Sequence, residues 1–160
     1  MIPGMPNLAF LLIAGGLAIV SNSWTTMTTN DAPPVRKYLS AVWTGSKILY
    51  WGGTGFSSDE NTGGLYDPLL DHWDAMTTIN APGGVSLHSA LWTGSRMIVW
   101  GGTPVTNTGG LYDPWMNSWS STPTAEAPSP RSNHAAVWTG SEMLIWGGSY
   151  LNSGGRYSPP

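Results

Sequence analysis

One twelve-residue pattern occurs three times in this chain of 160 residues and limits its fold more than any other feature. The copies begin at Val42, Leu91 and Val137, which are 49 and then 46 residues apart, and they read VWTGSKILYWGG, LWTGSRMIVWGG and VWTGSEMLIWGG. In the first copy the match extends upstream through APPVRKYLSAVW and downstream through NTGGLYDPLLDHW. A repeat of this length predicts one supersecondary unit that is used several times.

Each unit reads as four short strands. The first strand ends at the Trp of WTGS, and Gly-Ser then forms a two-residue hairpin in which glycine takes the positive φ of the first position of a type II′ turn. The segments KILYW, RMIVW and EMLIW are nearly continuous apolar runs, which are typical of a strand buried on both faces. Gly-Gly ends this strand, a loop of variable length follows, and Asp-Pro opens a turn into the fourth strand. Because such sheets must cover each other's faces, the sequence predicts an all-β fold of β-propeller blades.

The tryptophans repeat with the same period. Nine of the ten fall at three matched positions, which indicates packing within and between blades rather than stacking on a ligand. Trp115 is the exception, and as a loop aromatic it is a candidate recognition residue. The matched sets are Trp43, Trp92 and Trp138; Trp51, Trp100 and Trp146; and Trp24, Trp73 and Trp119.

The second strand of a unit ends in Gly-Gly, a tyrosine (Tyr66, Tyr112 or Tyr157) follows, a Trp comes some residues later, and the unit is about fifty residues long. This pattern resembles the kelch repeat. The WTGS variant is similar to bacterial kelch-like proteins of the galactose-oxidase central-domain type. The resemblance covers residues 23–160 and implies three four-stranded antiparallel blades in an incomplete ring. We place the blades at about residues 34–78, 83–124 and 129–160. Kelch propellers serve both as binding modules and as enzyme scaffolds, so the resemblance fixes no single function.

The two ends of the repeat array complement each other. The third unit lacks a fourth strand, whereas residues 23–29 read as an outer fourth strand without a preceding unit. We expect this N-terminal strand to complete a last blade. Because propellers usually have about four to eight blades, one expectation is a homodimer that forms a six-bladed ring. The alternatives are a fragment of a longer repeat protein with no independent function, or head-to-tail growth into an open fibre.

Residues 1–22 differ in composition from the rest of the chain and contain an apolar run from Leu8 to Val20. This run is too short to cross a hydrocarbon core of ~30 Å as a helix. It fits a signal peptide or anchor, which would make the protein extracellular or attached to a bacterial cell surface. It also fits a degenerate piece of the repeat, because LLIAGG aligns with MLIWGG. The sequence leaves both interpretations open.

Charge and composition exclude several function classes. The formal net charge is −3 and the six basic residues are scattered, so no nucleic-acid partner is predicted. The chain has no cysteine, which excludes thiolate nucleophiles and Cys-based metal sites. It also excludes the copper chemistry of galactose oxidase, the family that the repeat resembles, because that chemistry needs a Tyr cross-linked to a Cys. No phosphate-binding loop, HExxH, GxSxG or calcium-loop motif occurs. We therefore predict no cofactor and no metal.

Candidate ligand-binding residues precede the first strand of each unit. Arg36 and Arg131 share one repeat position, and in kelch propellers that resemble this chain such arginines lie near one mouth of the channel, where they can contact acidic ligands. Lys37, His88 and His134 lie near them in the repeat, and with Trp115 they complete the set. Each has a structural alternative: an arginine can bond to loop carbonyls, and a neutral histidine can be hydrogen-bonded between blades.

The sequence therefore predicts a non-catalytic kelch-type binding module that recognises a protein or a glycan through three variable loops, at residues 54–62, 103–108 and 149–153. The alternative is a kelch-scaffold enzyme that acts on sugars as a mutarotase does. For that chemistry Asp31 and Glu126, which share a repeat position, are the acid–base candidates.

Overall fold

The computed structural model describes Asn22 and residues 24–160, and these residues form eleven strands in three antiparallel sheets. We call the sheets blades 1, 2 and 3 in chain order. Blade 1 contains β1 (Ser40–Trp43), β2 (Ile48–Trp51), β3 (Gly63–Asp67) and β4 (His72–Ala75). Blade 2 contains β5 (Ser89–Trp92), β6 (Met97–Trp100), β7 (Gly109–Asp113) and β8 (Ser118–Ser121). Blade 3 contains β9 (Ala135–Trp138), β10 (Met143–Trp146) and β11 (Gly154–Tyr157).

Within each blade, strands that follow one another in the chain also pair with one another. The WTGS hairpins have the predicted geometry, because Gly45, Gly94 and Gly140 have φ angles of 102°, 102° and 103°. In the first hairpin the Thr44 N–H donates to the Lys47 carbonyl at 2.9 Å, and the Thr44 hydroxyl accepts the Lys47 N–H at 2.9 Å. The expected all-β fold of kelch-like blades is confirmed, with three strands rather than four in blade 3.

The blades pack face to face, and β5 lies between β1 and β9. Side chains alternate along β6, so that Met97 and Val99 pack toward blade 1 while Ile98 and Trp100 pack toward blade 3. All four are buried, as predicted for a strand that is apolar on both faces. Blade 2 is therefore the centre of the hydrophobic core and is stabilised by both of its neighbours.

A tryptophan holds the fourth strand in each complete blade. In blade 2 the Trp119 ring lies 5.1 Å from the Tyr112 ring, and its Nε1–H donates to the Thr77 carbonyl at 3.0 Å. A Cβ atom on Gly110 would come within 2.9 Å of the Trp119 ring, so glycine is needed beneath the indole. Blade 1 repeats this arrangement with Trp73, Tyr66, Gly64 and the carbonyl of Thr28. We call this pocket of glycine, tyrosine and preceding carbonyl the tryptophan seat.

The described residues leave the two end faces of the three-blade arc uncovered. At the matched position of the second strand, Trp51 is 0% exposed and Trp100 is 3% exposed, but Trp146 of blade 3 is 63% exposed. At the opposite end, Trp43 of blade 1 is about half exposed. Exposure thus rises where the next blade is absent among residues 24–160, which is the result expected for an incomplete ring.

The predicted outer strand at residues 23–29 behaves differently from the expectation. Among the described residues, 24–29 form no strand and lie against blade 1, where the Thr28 N–H donates to Asp71 Oδ1 at 2.9 Å. They do not reach β11, and within residues 24–160 no strand pairs with the outer edge of β11. The physical reason is that a lone edge segment gains strand geometry only from a partner ladder. In the described chain no strand pairs with this segment.

The interpretation of residues 1–22 as a signal, an anchor or a degenerate repeat falls, apart from Asn22, outside the described residues. The part of the chain that is described contains no helix with the length and apolar character needed to cross a membrane.

Matched substitutions test the assignment of repeated tryptophans to packing. Trp51→Ala should lower the free energy of unfolding by about 3–5 kcal/mol, because the ring is buried and lies 4.4 Å from the Trp119 ring of the next blade. Trp115→Ala removes an equally large but exposed indole and should change it by less than about 0.5 kcal/mol. Urea unfolding monitored by circular dichroism gives both values, and equal losses would contradict this assignment.

Candidate functional site

Each blade has two ends with different loops. The loop end carries the connections between the second and third strands, at residues 52–62, 101–108 and 147–153, and the segments that lead into each first strand. The hairpin end carries the WTGS turns and the Asp-Pro turns. The structure places five of the six sequence candidates at the loop end and Trp115 at the hairpin end. The loop-end candidates are Arg36, Lys37, His88, Arg131 and His134.

Arg131 is 1% exposed, and its guanidinium group bonds to blade 3 itself. Nε donates to the Ser129 carbonyl at 3.0 Å, and Nη1 donates to the carbonyls of Gly147 and Ser153 at 2.9 and 2.6 Å. Nη2 donates to the Ser153 hydroxyl at 3.2 Å. These contacts tie the two ends of the β10–β11 loop together, which favours the structural role over contact with an acidic ligand.

Arg36 repeats this arrangement in blade 1, with more solvent access. Its Nη1 donates to the carbonyls of Gly52 and Thr62 at 3.2 and 2.9 Å, and Nη2 donates to the Thr62 hydroxyl at 3.0 Å. Burial lowers the pKa of Arg36, and the charge of Glu60 opposes that shift. Lys37 is exposed, and its Nζ lies 5.2 Å from the centroid of the Tyr38 ring. Of these two basic residues, only Lys37 has its charge directed to solvent.

The two histidines lie at the blade interfaces. Nε2 of His134 lies 2.9 Å from the Ser89 hydroxyl of blade 2, and its ring meets Trp100 edge-on with centroids 5.2 Å apart. Cε1 of His88 approaches Gly52 of blade 1 so closely that a Cβ atom on this glycine would lie 2.7 Å away. Neither ring nitrogen of His88 makes a well-formed hydrogen bond with the described residues, although the Val85 carbonyl lies near enough to favour the protonated form. Both rings therefore act as packing groups between blades.

The loops of blades 1 and 2 at this end are fixed by hydrogen bonds to the following blade. The Glu60 carbonyl accepts the Val85 N–H at 3.3 Å, and the Thr106 carbonyl accepts the Arg131 N–H at 3.1 Å. The Gly53 N–H donates to the Val85 carbonyl at 2.8 Å. A loop that is held in this way presents its tip with little remaining conformational freedom, which reduces the entropy lost when a ligand binds.

Each of these loops carries a large apolar side chain at its tip, and the sequence analysis did not single out these residues. Phe56 is 97% exposed, Val105 is 55% exposed and Tyr150 is fully exposed. Tyr150 follows Ser149 in a turn that is closed by the Leu151 N–H and the Gly148 carbonyl at 2.8 Å, and both central residues have positive φ. An aromatic residue in this backbone region is uncommon. The sequence signal was one or two large apolar residues within loops that are otherwise mostly small or polar.

The hairpin end contains a cavity of about 360 Å³ between blades 1 and 2. Trp92, Trp115 and Lys47 line it together with turn residues. The Trp115 N–H donates to Asp113 Oδ1 at 2.9 Å, which fixes the Asp-Pro turn and leaves the indole exposed. Lys47 is paired with Asp74 at 3.0 Å. Trp115 is thus separated from the other candidates by the length of the strands.

The carboxylates considered for sugar chemistry are turn residues. Asp31 and Glu126 have φ angles of 59° and 60°. The residue after each of them, Ala32 or Ala127, donates the N–H that closes the turn. Both acidic residues are exposed. Among residues 24–160, no three His, Asp or Glu side chains come close enough together to share a metal ion.

Substitution of the two arginines tests their structural role. Arg131→Leu should lower the free energy of unfolding by about 3 kcal/mol, because buried carbonyls lose a charged donor, and Arg36→Leu should cost less because its site is partly solvated. Arg96→Leu is the control, since Arg96 only approaches Asp113 at 3.9 Å on the surface, and it should cost less than about 1 kcal/mol. If the Arg131 variant is as stable as the control in urea unfolding, the structural assignment is wrong.

The histidines predict a pH dependence of stability. Burial lowers the pKa of both His88 and His134 from 6.5 to about 4, with smaller contributions from His134 on His88 and from Arg131 on His134. The unfolded chain therefore takes up protons at a higher pH than the folded chain, so stability is complete above about pH 6.5 and falls as the pH drops toward 4. After discounting for partial solvent screening, we expect a loss of about 2 kcal/mol for each histidine.

Urea unfolding at pH 7.5 and pH 4.5 measures this loss. His88→Leu, which installs the residue that blade 1 has at this position as Leu39, should reduce the pH-dependent loss by roughly half. An unchanged pH dependence in this variant would show that other groups are responsible.

A family model described as the KLHDC2/KLHL20/DRC7 Kelch-repeats domain matches residues 15–148, which is most of the chain. No curated protein matches the chain at a significant level. The matched range includes the three WTGS hairpins and their Gly-Gly ends, which are the features that build the three blades. The chain therefore belongs to the family of Kelch-repeats domains.

Proposed function

We propose that this Kelch-repeats domain is a non-catalytic protein-interaction module whose ligand binds across the loop end. Kelch-repeats domains generally mediate interactions between proteins. The observation that carries the proposal is the set of exposed apolar side chains at the three loop tips, Phe56, Val105 and Tyr150. The loops belong to adjacent blades and leave them at the same end, so the three side chains face the same side of the arc.

The chemistry of these tips favours a protein ligand. Exposed aromatic and apolar groups on rigid loops are the usual anchors of protein interfaces. Hydrogen bonds to the following blade hold the loops of Phe56 and Val105 in place before binding, and beside Tyr150 the Ser149 N–H donates to the Ser132 carbonyl within blade 3 at 3.1 Å. An isolated exposed apolar residue needs no explanation, but one at each loop tip on the same end is the pattern of an interaction patch.

A glycan ligand is the second form of this proposal. It requires free polar groups around an aromatic platform, and the donors of Arg36 and Arg131 are already bonded to carbonyls of their own blades. The mutarotase-like alternative rests on Asp31 and Glu126, which occupy turns and share no site with the loop-tip patch. The extracellular or cell-surface location and the finer likeness to galactose-oxidase domains remain proposals from the sequence.

We also propose that two copies of the chain associate through the uncovered faces of blades 1 and 3. The uncovered face of blade 3 presents Trp146, and the uncovered face of blade 1 presents Trp43. Gly52 and Gly101 contact histidines of the following blades, whereas no side chain of the described residues lies against the matched Gly147, where a Cβ atom would meet only the Leu151 carbonyl oxygen at 3.7 Å. Leu39 of blade 1 holds the repeat position of those histidines, so blade 1 of a second copy supplies a side chain for that space. Three blades from each copy would make six.

Peptide selection tests the loop-end proposal. A displayed library of random peptides is selected against the 160-residue protein, and the affinity of the selected peptides is measured by fluorescence anisotropy. The variant with Phe56→Ser and Tyr150→Asn should weaken binding at least about tenfold, because the anchors are lost. Asparagine is chosen at position 150 because it tolerates positive φ.

The matched control removes exposed apolar side chains from the other end. The variant with Leu69→Ser and Trp115→Ser should bind the selected peptides with unchanged affinity, because both residues lie at the hairpin end. Loss of binding only in this control would move the site to the cavity near Trp115. Binding on a glycan array with no peptide selected would favour the glycan form.

A further inference from the structure

Blade 3 contains a cavity at the place where blades 1 and 2 hold the tryptophan of their fourth strand. The cavity measures about 230 Å³. Its lining includes Trp100, Pro123, Pro128, Gly155 and Tyr157. It therefore lies between the outer edge of blade 3 and the segment that connects blade 2 to blade 3.

The lining repeats the tryptophan seat residue by residue. Gly155 and Tyr157 of β11 hold the positions that Gly110 and Tyr112 hold beneath Trp119. Pro128 contacts Gly155 as Pro82 contacts Gly110. Pro123 stands at the repeat position of Thr77, whose carbonyl accepts the Trp119 indole N–H. The cavity is a tryptophan seat that no described residue of the chain fills.

Trp24 has the sequence position of the missing side chain. It aligns with Trp73 and Trp119, and Thr28 follows it by the same four residues that separate Trp73 from Thr77. Trp24 is also fully exposed, although its two counterparts are buried. An empty seat and an exposed tryptophan of matching repeat position are thus present in the same chain.

In the described structure the Trp24 side chain is exposed and does not occupy the seat of its own chain. Thr28 is bonded to Asp71 and Trp73 of blade 1, and four residues extend by at most about 14 Å. Face-to-face sheets lie about 10 Å apart, so blade 3 is about 20 Å from blade 1 across blade 2. Within one chain, a Trp24 in the seat of blade 3 would therefore need a fully extended backbone and side chain, whereas a second chain next to blade 3 needs neither and keeps the bonds of Thr28.

We propose that Trp24 of a second copy occupies this seat and that residues 24–26 add a fourth strand to β11. The inference rests on the proposed pairing of two copies and names the contact that joins them. By analogy with the β7–β8 register, Trp24 pairs with Tyr157, Thr25 with Arg156 and Thr26 with Gly155. The indole N–H donates to the Pro123 carbonyl. The contact is reciprocal, so each copy completes the third blade of the other.

Cysteine cross-linking tests this register directly, because the chain has no cysteine of its own. One preparation carries Thr25→Cys and a second, longer by a purification tag, carries Arg156→Cys. After mixing and mild oxidation, we expect a disulfide-linked product of the summed mass on a non-reducing gel. Ser95→Cys, at the exposed hairpin turn of blade 2, replaces Arg156→Cys in the control and should give no such product with Thr25→Cys.

Sedimentation equilibrium separates this inference from the pairing on which it rests. The unmodified 160-residue protein should have the mass of two chains, and Trp24→Ala should raise the dissociation constant at least about tenfold, whereas Trp115→Ala should leave it unchanged. A two-chain mass without the cross-link and without an effect of Trp24→Ala would overturn the role of Trp24 and leave the pairing intact. A one-chain mass would overturn both. A disulfide within a single chain that carries both cysteines would assign the seat to the chain's own N-terminal segment.

Discussion

No blade of this protein can cover its own apolar faces, and most of the structure follows from that constraint. Strands β2, β6 and β10 carry large apolar side chains on both faces, so each sheet needs a neighbour on either side. Blade 2 has two neighbours, and its second strand is buried throughout. Blades 1 and 3 have one neighbour each among the described residues, and their exposed tryptophans mark the faces where a further blade would pack.

Because each blade must pack against another, the positions that build the blades repeat across the units, whereas the exposed loop tips vary. Positions that repeat across the units build the blades, including arginines that hold loops and histidines that pack between sheets. Positions that differ lie at the loop tips, and backbone hydrogen bonds to the next blade hold the loops of blades 1 and 2 in place. Changes at Phe56, Val105 or Tyr150 would alter the proposed loop-end patch without altering the core, because these side chains are exposed.

Much of the fold could be predicted from the sequence because hairpin glycines and two-sided apolar strands have few structural solutions. Gly45 and Trp51 behave as the pattern predicted. The candidate site could be predicted less well. The sequence shows that Arg131 repeats Arg36, but it does not show that the donors of Arg131 turn inward to loop carbonyls. The position of residues 24–29 also escaped prediction, because the strand that would pair with them is not next to them within one chain. The empty seat in blade 3 is visible only once Pro123, Pro128 and Gly155 are brought together in space.

A crystal structure of the 160-residue protein would reveal directly whether two copies pair, through the location of the Trp24 indole. We expect two chains around one axis, six blades, and the indole of each Trp24 between Tyr157 and Pro128 of the other chain. An isolated three-blade chain with Trp24 in solvent, or two chains whose β11 edges remain unpaired, would contradict it.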